Sequence, residues 1–406
     1  MNLPYFISKR ISSGDKGSFA TVIHKVAIAS VALGIAIMLI SFLVLGGFQN
    51  SIKDKIFTFS GHIQIKKYTF SSDYDEIPII LTDEQKTAVR NDPYVKYLQS
   101  YALKPGLISR NDEVFGLLFK GVGHEFDTTS LEDYIIEGRF PSFATEQQFS
   151  SEVLISEFMA RQMQVKIGDA LPTVFIMNPP KNRRLVVTGI FNSGLADFDE
   201  QVVIGDIELI RVLNGWATGY VGGYEVFLKD VDDIAEAEDA ILEKVATDHM
   251  TERIDEKFVQ VFDWLNLLSQ NVFILIGLIL FVACFNMVSV LFILIMERTP
   301  MIGIFKALGA PNKLLRKIFA MNGIRLVFRG LIVGNLIALL FGFLQYQFKL
   351  IPLDPSTYYM AHVPIDWDWV RIIGVNVITL LLVGGVLLIP TAIISRINPV
   401  KAIRFD

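Results

Sequence analysis

VAIASVALGIAIMLISFLVLGGFQNSI, residues 26–52, contains no Asp, Glu, Lys or Arg in 27 consecutive residues. A helix needs roughly 20 apolar residues to cross the hydrocarbon core of a bilayer, whereas helices of soluble proteins typically run about 8–20 residues. A membrane-spanning helix is the expectation. Residues 264–296, 330–348 and 372–395 are equally free of charge over 33, 19 and 24 residues, the third with the least margin. Four spans follow. Lys9, Arg10, Lys16 and Lys25 give the first span a basic lead, as in a secretory signal. The apolar run nevertheless exceeds the about 7–15 residues of a signal core, and no small-residue cleavage site closes it. It reads as an uncleaved anchor. The single cysteine, Cys284, lies inside the second span. No intrachain disulfide can form, so any external domain must be held by its own core. Cys284 itself reads as a small apolar residue.

The formal charge of −5 hides an uneven distribution. Residues 49–270 hold 21 Lys+Arg against 36 Asp+Glu, a net of −15. The loop 297–329 holds Arg298, Lys306, Lys313, Arg316, Lys317, Arg325 and Arg329 against Glu297 alone. Arg396, Lys401 and Arg404 follow the last span, against Asp406. Short basic loops stay on the cytoplasmic side, which predicts both termini inside and the acidic region outside. The expected organisation is a cytoplasmic segment 1–25, span one at 26–48, an extracytoplasmic domain at 49–270 and span two at 271–296. A cytoplasmic loop at 297–329, span three at 330–348, a short outer loop at 349–371, span four at 372–395 and a cytoplasmic tail at 396–406 complete it. Tyr358, Tyr359, Trp367 and Trp369 flank the outer ends of spans three and four as interfacial aromatics.

Within 49–270, His62-Ile63-Gln64-Ile65 alternates like a strand. Thr82, followed by Asp83, Glu84 and Gln85, predicts a helix opened by a capping box and ending near Asn91-Asp92-Pro93. Strands are expected at 95–108, 114–120, 171–177, 184–191 and 224–228, with a turn at Asn178-Pro179-Pro180-Lys181-Asn182. Asp233 opens a helix with Ile234, Ala237, Ile241 and Val245 on one face. The fold class is an α-helical membrane protein with four transmembrane helices plus an α+β extracytoplasmic domain. Its core is expected from 60–122 and 223–260, with a β-rich subdomain inserted at 123–222.

Several chemistries find no support. These residues contain no GxxxxGK[ST] phosphate loop, HExxH or CxxC. His24, His62, His124, His249 and His362 are scattered without ligand spacing. The acid runs at Asp230, Asp232 and Asp233 and at Glu236, Glu238 and Asp239 read as a solvated face, because the glycine of a calcium loop is missing. An acidic exterior argues against nucleic acid. No enzyme activity, no bound cofactor and no metal are expected for this chain.

The loop 297–329 is more informative. A helix from about Thr299 to Leu308 would end at Gly309 in a left-handed cap, and Pro311 suits the first turn of the next helix. That next helix interleaves Lys313, Arg316 and Lys317 with Leu314, Leu315, Ile318 and Phe319, and is expected to lie along the inner leaflet. The pair could serve as an interfacial anchor or dock into a partner's groove. Gly46-Gly47 reads either as a close-packing site or as a tolerated glycine pair.

These residues resemble the FtsX/MacB-like permease superfamily of ABC transporters, and within it the LolC/LolE lipoprotein-releasing permeases. Ile304-Phe305-Lys306-Ala307-Leu308-Gly309-Ala310 is similar to the superfamily's turn after span two. Ile389-Pro390 with Asn398-Pro399-Val400-Lys401-Ala402-Ile403-Arg404 is similar to its closing tail. Gly46-Gly47-Phe48-Gln49, Lys53-Asp54-Lys55-Ile56 and Ser60-Gly61-His62-Ile63 resemble the passage leaving span one in LolC/LolE, as does Asp197-Phe198-Asp199 further on. The resemblance covers nearly the whole chain. It implies an inner-membrane permease subunit with a periplasmic domain, paired with a second permease chain, the same or homologous. A separate dimer of ABC ATPase subunits would use the ATP and Mg. Its cargo would be lipoproteins, taken from the outer leaflet and passed to a periplasmic chaperone.

It further implies ATPase coupling at Arg298, Ile302, Phe305, Lys306, Ala307, Leu308 and Gly309. An acyl-chain cleft is expected from Met38, Phe42, Leu45 and Phe48 with Phe273, Ile276 and Leu280. A chaperone-contact hairpin is expected at Met177, Asn178, Pro179 and Pro180, although this hairpin is short beside the protruding one of LolC members. LolC-like, LolE-like and homodimeric arrangements stay open. So do a MacB-like efflux permease for peptides or small molecules and an FtsX-like regulator of a cell-wall hydrolase.

Overall fold

The computed structural model describes residues 19–68, 76–110, 113–144, 149–354 and 358–396. The basic lead at Lys9, Arg10 and Lys16 and the closing run at 398–404 lie outside them. Four helices among the described residues are long and apolar enough to cross a membrane. They are α1 (Phe19–Ser60), α2 (Val259–Glu297), α3 (Asn312–Phe348) and α4 (Trp369–Val386), the last continued by Leu388–Ile393. At 1.5 Å per residue, α1 and α2 are each roughly 60 Å long, about twice the thickness of a hydrocarbon core. The chain divides into a helical unit, Trp264–Pro352 with the flanking terminal regions, and a second unit, Ser51–Asp263 with Leu353–Ala361.

In the helical unit the core is aliphatic and built on small-residue contacts. A Cβ at Gly334 of α3 would stand 2.6 Å from the Ala32 carbonyl oxygen of α1, so the two backbones nearly touch there. Asn335 and Asn376 exchange amide bonds of 2.6 and 3.0 Å between α3 and α4. Each also donates to the carbonyl four residues back, so the donors of both amides are satisfied within the protein.

The basic segment after Pro311 differs from expectation. It is the start of α3 and not a separate interfacial helix, because no proline interrupts the 37 residues of α3. Leu315, Ile318 and Phe319 are buried inside the chain instead of facing lipid. Pro311 itself is the extended N-cap residue and does not sit in the first turn.

Among the described residues the second unit carries ten strands: β1 (Ile63–Lys67), β2 (Val95–Arg110), β3 (Glu113–Val122), β4 (Ile135–Gly138), β5 (Glu152–Ser156), β6 (Ala170–Phe175), β7 (Lys181–Phe191), β8 (Val202–Asp206), β9 (Gly223–Leu228) and β10 (His249–Arg253). Their order is β10-β1-β9-β2-β3-β8-β5-β7-β4, with β6 joining β2 to β7. The pairs β2/β3, β3/β8, β8/β5, β5/β7, β7/β6 and β6/β2 therefore close a ring of six strands. Strand β2 is long enough to serve twice. Its first half pairs with β9 and its second half with β6. Phe119, Phe175, Leu185, Val187 and Val203 are fully buried members of the core that fills this unit.

Local chemistry sets the element ends. Thr82 Oγ1 accepts from Gln85 N, and Gln85 Oε1 accepts from Thr82 N, which opens the helix Asp83–Arg90 as the sequence predicts. The helix after Asp233 ends at Leu242. Val245 is buried against the same core but lies past the helix, a correction to the helical face read from periodicity.

A polar layer runs across four strands beneath the end of α1. Lys120 of β3 donates to Glu225 Oε1 of β9 at 2.6 Å and to the Phe59 carbonyl at 2.5 Å. Gln99 of β2 donates to Glu225 Oε2 at 2.9 Å, and Gln64 of β1 donates to the Ser60 carbonyl at 3.2 Å. The last carbonyls of α1 thus end on a lysine and a glutamine of the sheet, as orphan helix acceptors require. Gly61 (φ +71°) reverses the chain there, in a space where a Cβ would come within 2.9 Å of Glu225 Cβ.

Beside this layer, burial raises the Glu76 carboxyl from 4.5 to about 8, against the opposing pull of the Leu103 N–H at 2.7 Å. Folded Glu76 therefore holds a proton that the unfolded chain has lost, and stability falls as pH rises from about 5 to about 8. Melts of the purified full chain at these two pH values are expected to show that loss, and Glu76→Gln is expected to flatten it. Identical slopes for the two proteins would count against this assignment.

Candidate functional site

Three places were singled out by sequence, and the structure treats them differently. The first follows α2. Pro300 opens the short helix Thr299–Ala307, and Arg298 is its N-cap residue without a side-chain cap bond. Gly309, at φ +85°, closes it. Ala310 N donates to the Phe305 carbonyl at 2.9 Å and Gly309 N to the Lys306 carbonyl at 3.0 Å, the paired bonds of a Schellman motif. Ile302 is fully buried and Phe305 packs on the helical core. Lys306 donates to the Ile394 and Ser395 carbonyls at 2.7 and 3.2 Å, which ties this helix to the end of the α4 region. Arg316 adds a bond to Ser395 Oγ at 2.9 Å. Leu308 is 79% exposed, and Ala307 and Gly309 are exposed beside it.

The seven expected residues therefore separate into supports (Arg298, Ile302, Phe305, Lys306) and a projecting aliphatic tip (Ala307, Leu308, Gly309). Ile304, 52% exposed, belongs to that tip and was missed. Its spacing of four from Leu308 was the available signal. An exposed aliphatic knob on a braced helix is suited to seating in a partner's pocket.

The second place is the expected cleft. Met38 and Leu45 are buried within the helical core, whereas Phe273 is 60% exposed and Ile276 and Leu280 are half-buried. The rings of Phe42 and Phe273 meet edge to face at 5.9 Å, and those of Phe48 and Trp264 at 5.6 Å. Gln49 donates to the Leu265 carbonyl and Ser269 Oγ at 2.8 and 2.7 Å. These contacts join α1 to α2, so Met38 and Leu45 line no open space inside one chain. The apolar groove on this side, about 450 Å³, lies between α2 and α4 and is lined by Leu280, Phe281, Cys284, Phe285, Leu382 and Val386. The motif Gly46-Gly47-Phe48-Gln49 is a packing junction. A Cβ on Gly47 would stand 2.7 Å from the Pro364 carbonyl group, which favours the close-packing reading of this glycine pair.

The third place is the β6–β7 hairpin. Phe175 pairs with Lys181, leaving a short loop of residues 176–180. Met177 is half-buried against the core, and Asn178, Pro179 and Pro180 are exposed.

The other motif residues are structural. His62 stacks on Phe57 at 4.4 Å and accepts the Leu228 N–H at Nδ1, and burial pushes its pKa down to about 4. Asp199 accepts from Ser193 N, Ser193 Oγ and Gly194 N at 2.7–3.0 Å. Lys55 donates to the Tyr359 carbonyl at 2.6 Å. Among the described residues no three His, Cys, Asp or Glu side chains are placed to share a metal ion.

With that geometry in place, two family patterns match. The MacB-like periplasmic core domain covers residues 26–244, and the FtsX-like permease C-terminal domain covers residues 273–399. The lipoprotein-releasing system transmembrane protein LolE of Haemophilus influenzae is 20% identical over 422 residues, spanning 99% of both chains. The protein LolC of the same system in Neisseria meningitidis serogroup B is 22% identical over 414 residues, spanning 96% of each. Two solved structures are similar in part. The extracellular domain of the noncanonic ABC-type transporter YknZ from Gram-positive bacteria is 15% identical, covers 47% of this chain and 99% of its own, and gives a TM-score of 0.32. The periplasmic region of MacB from Actinobacillus actinomycetemcomitans is 13% identical, covers 50% and 92%, and gives a TM-score of 0.35.

Proposed function

We infer the function from the premise that this chain belongs to the family of FtsX-like ABC transporter permeases that carry a MacB-like periplasmic core domain. It is the membrane subunit that couples ATP hydrolysis on a separate ATPase subunit to the release of lipoproteins from the outer leaflet of the inner membrane toward a periplasmic chaperone. The observation that carries this reading is similarity along almost the full length of both chains to relatives named for lipoprotein release.

Physical chemistry supports it. Lifting acyl chains out of lipid costs about 0.8 kcal/mol per CH₂, so an external energy source is required. The tip at Ile304, Ala307, Leu308 and Gly309 is the coupling contact with the ATPase, and the basic loop around it is cytoplasmic. The acyl chains are sheltered along the exposed face of α2, at Phe273, Ile276 and Leu280, once a second permease chain, the same or homologous, is opposite. Phe42 and Phe48 hold the α1–α2 junction from within, with Met38 and Leu45 behind them. The extracytoplasmic unit receives the protein part of the cargo. The loop with Met177, Asn178, Pro179 and Pro180 is its chaperone contact. This chain does no chemistry of its own, and the ATP and Mg belong to the partner ATPase. Depletion of the protein followed by membrane fractionation is expected to show lipoproteins stranded in the inner membrane. Normal arrival at the outer membrane would overturn the reading.

A further inference from the structure

The ring of six strands is incomplete along one stave. Strand β8 pairs only with Leu118–Val122 of β3, so residues 113–117 have β2 on one side and no strand on the other among the described residues. Leu118 N donates away from β2, to the Gln201 carbonyl at 2.8 Å. In an antiparallel pair these directions alternate residue by residue. The N–H and C=O of Gly116 and Val114 therefore point outward into the same gap. The gap is a groove of about 540 Å³, to which all five residues from Val114 to Leu118 contribute. Gly116 has open space where a Cβ would be. Val114, Phe158 and Ile176 are 64%, 45% and 52% exposed along it. Unpaired strand edges flanked by apolar side chains are templates for an added strand.

A second groove, of about 760 Å³, shares Phe158, Gln162 and Glu200 with the first and extends it to Asp354. Asp354 follows the end of α3 by only six residues of chain. Glu157, Asp199 and Glu200 line it against Arg161 alone among the basic residues.

We propose that the free edge of β3 at Val114–Leu117 binds an extended polypeptide as an added strand, and that its occupant is the stretch of the lipoprotein cargo that follows its lipidated N-terminus. This rests on the lipoprotein-release reading above. A cargo still anchored by its acyl chains presents that stretch as the first part of its polypeptide, and the acidic lining suits it by charge. The carboxylates favour stretches that are neutral or basic. Backbone bonding to the edge accepts many sequences, as a carrier of varied cargo requires.

The test uses the complete transporter with a tagged lipoprotein. A photo-crosslinking side chain at Val114 is expected to trap cargo within the residues that follow the lipidated terminus. The same side chain at Leu242, exposed at the end of the helix Ile234–Leu242 and lining neither groove, is expected to trap none. Val114→Pro removes an N–H that faces away from β2, so the β2–β3 pairing survives. It is expected to lower cargo release about tenfold with basal ATP hydrolysis unchanged. Crosslinks only to another protein, equal trapping at both sites, or full release by a folded Val114→Pro protein overturns the proposal. If that variant does not fold, the crosslink alone decides. A wild-type transporter that releases no lipoprotein removes the functional reading and the cargo assignment together, whereas wild-type release with an indifferent edge removes only the latter.

Discussion

Replacing Lys120 with Ala is expected to cost about 3–5 kcal/mol, because it strands the Glu225 carboxylate without its cation. The two side chains are 7% and 1% exposed and meet at 2.6 Å. The donors that remain to Glu225 are neutral, Gln99 at 2.9 Å and Gln64 at 3.4 Å. The same change removes the donor that satisfies the Phe59 carbonyl at the end of α1. Lys120→Met combined with Glu225→Leu should recover much of the loss, since a buried ion pair often contributes little net over apolar residues of similar volume. Denaturant titration of the full chain in detergent, followed by tryptophan fluorescence, measures both. A single Lys120→Ala variant within about 1 kcal/mol of the parent would show that the pair is not the closed buried contact described.

Leu308→Asp combined with Gly309→Pro should break coupling without breaking the fold. Gly309 sits at φ +85°, and proline is fixed near −65°. The Schellman closure is therefore lost while the buried supports, Ile302 and Phe305, are untouched. Aspartate at Leu308 places a charge where an aliphatic group would be buried. Losing a central contact residue commonly costs about 2 kcal/mol, or roughly thirtyfold in docking. Lipoprotein released per ATP hydrolysed is expected to fall by about that factor, with membrane insertion unchanged. Unchanged release per ATP would refute the coupling role of the tip.

The membrane helices were legible in the sequence because charge is excluded from lipid regardless of packing detail. The Thr82 capping box, the β6–β7 hairpin and the left-handed Gly309 were legible because each depends on a few neighbouring residues. The strand β10 and the helix Ile254–Lys257 were not, since His249–Arg253 has Met250 as its one apolar residue and is held by its pairing with β1. The ring could not be read either, because it is fixed by non-local pairs such as Leu107↔Val174 and Leu118↔Val202. At the candidate site, position in the chain singled out the segment 298–309 as a candidate. Which of its residues face outward depended on the packing of α3 and α4, and so Ile302, expected in the contact, is buried whereas Ile304 is exposed.

The double service of β2 limits how this protein can be remodelled. Residues 123–222 supply four of the six staves, and a shortened chain lacking them would leave one edge of β3 bare along its whole length and β2 bare at Gly106–Ile108. The region cannot be grafted out as a module or lost piecemeal. Length can vary freely only where both ends of a turn are already pinned, as Phe175↔Lys181 pins residues 176–180. That turn is the natural place for relatives to differ in reach while keeping one scaffold.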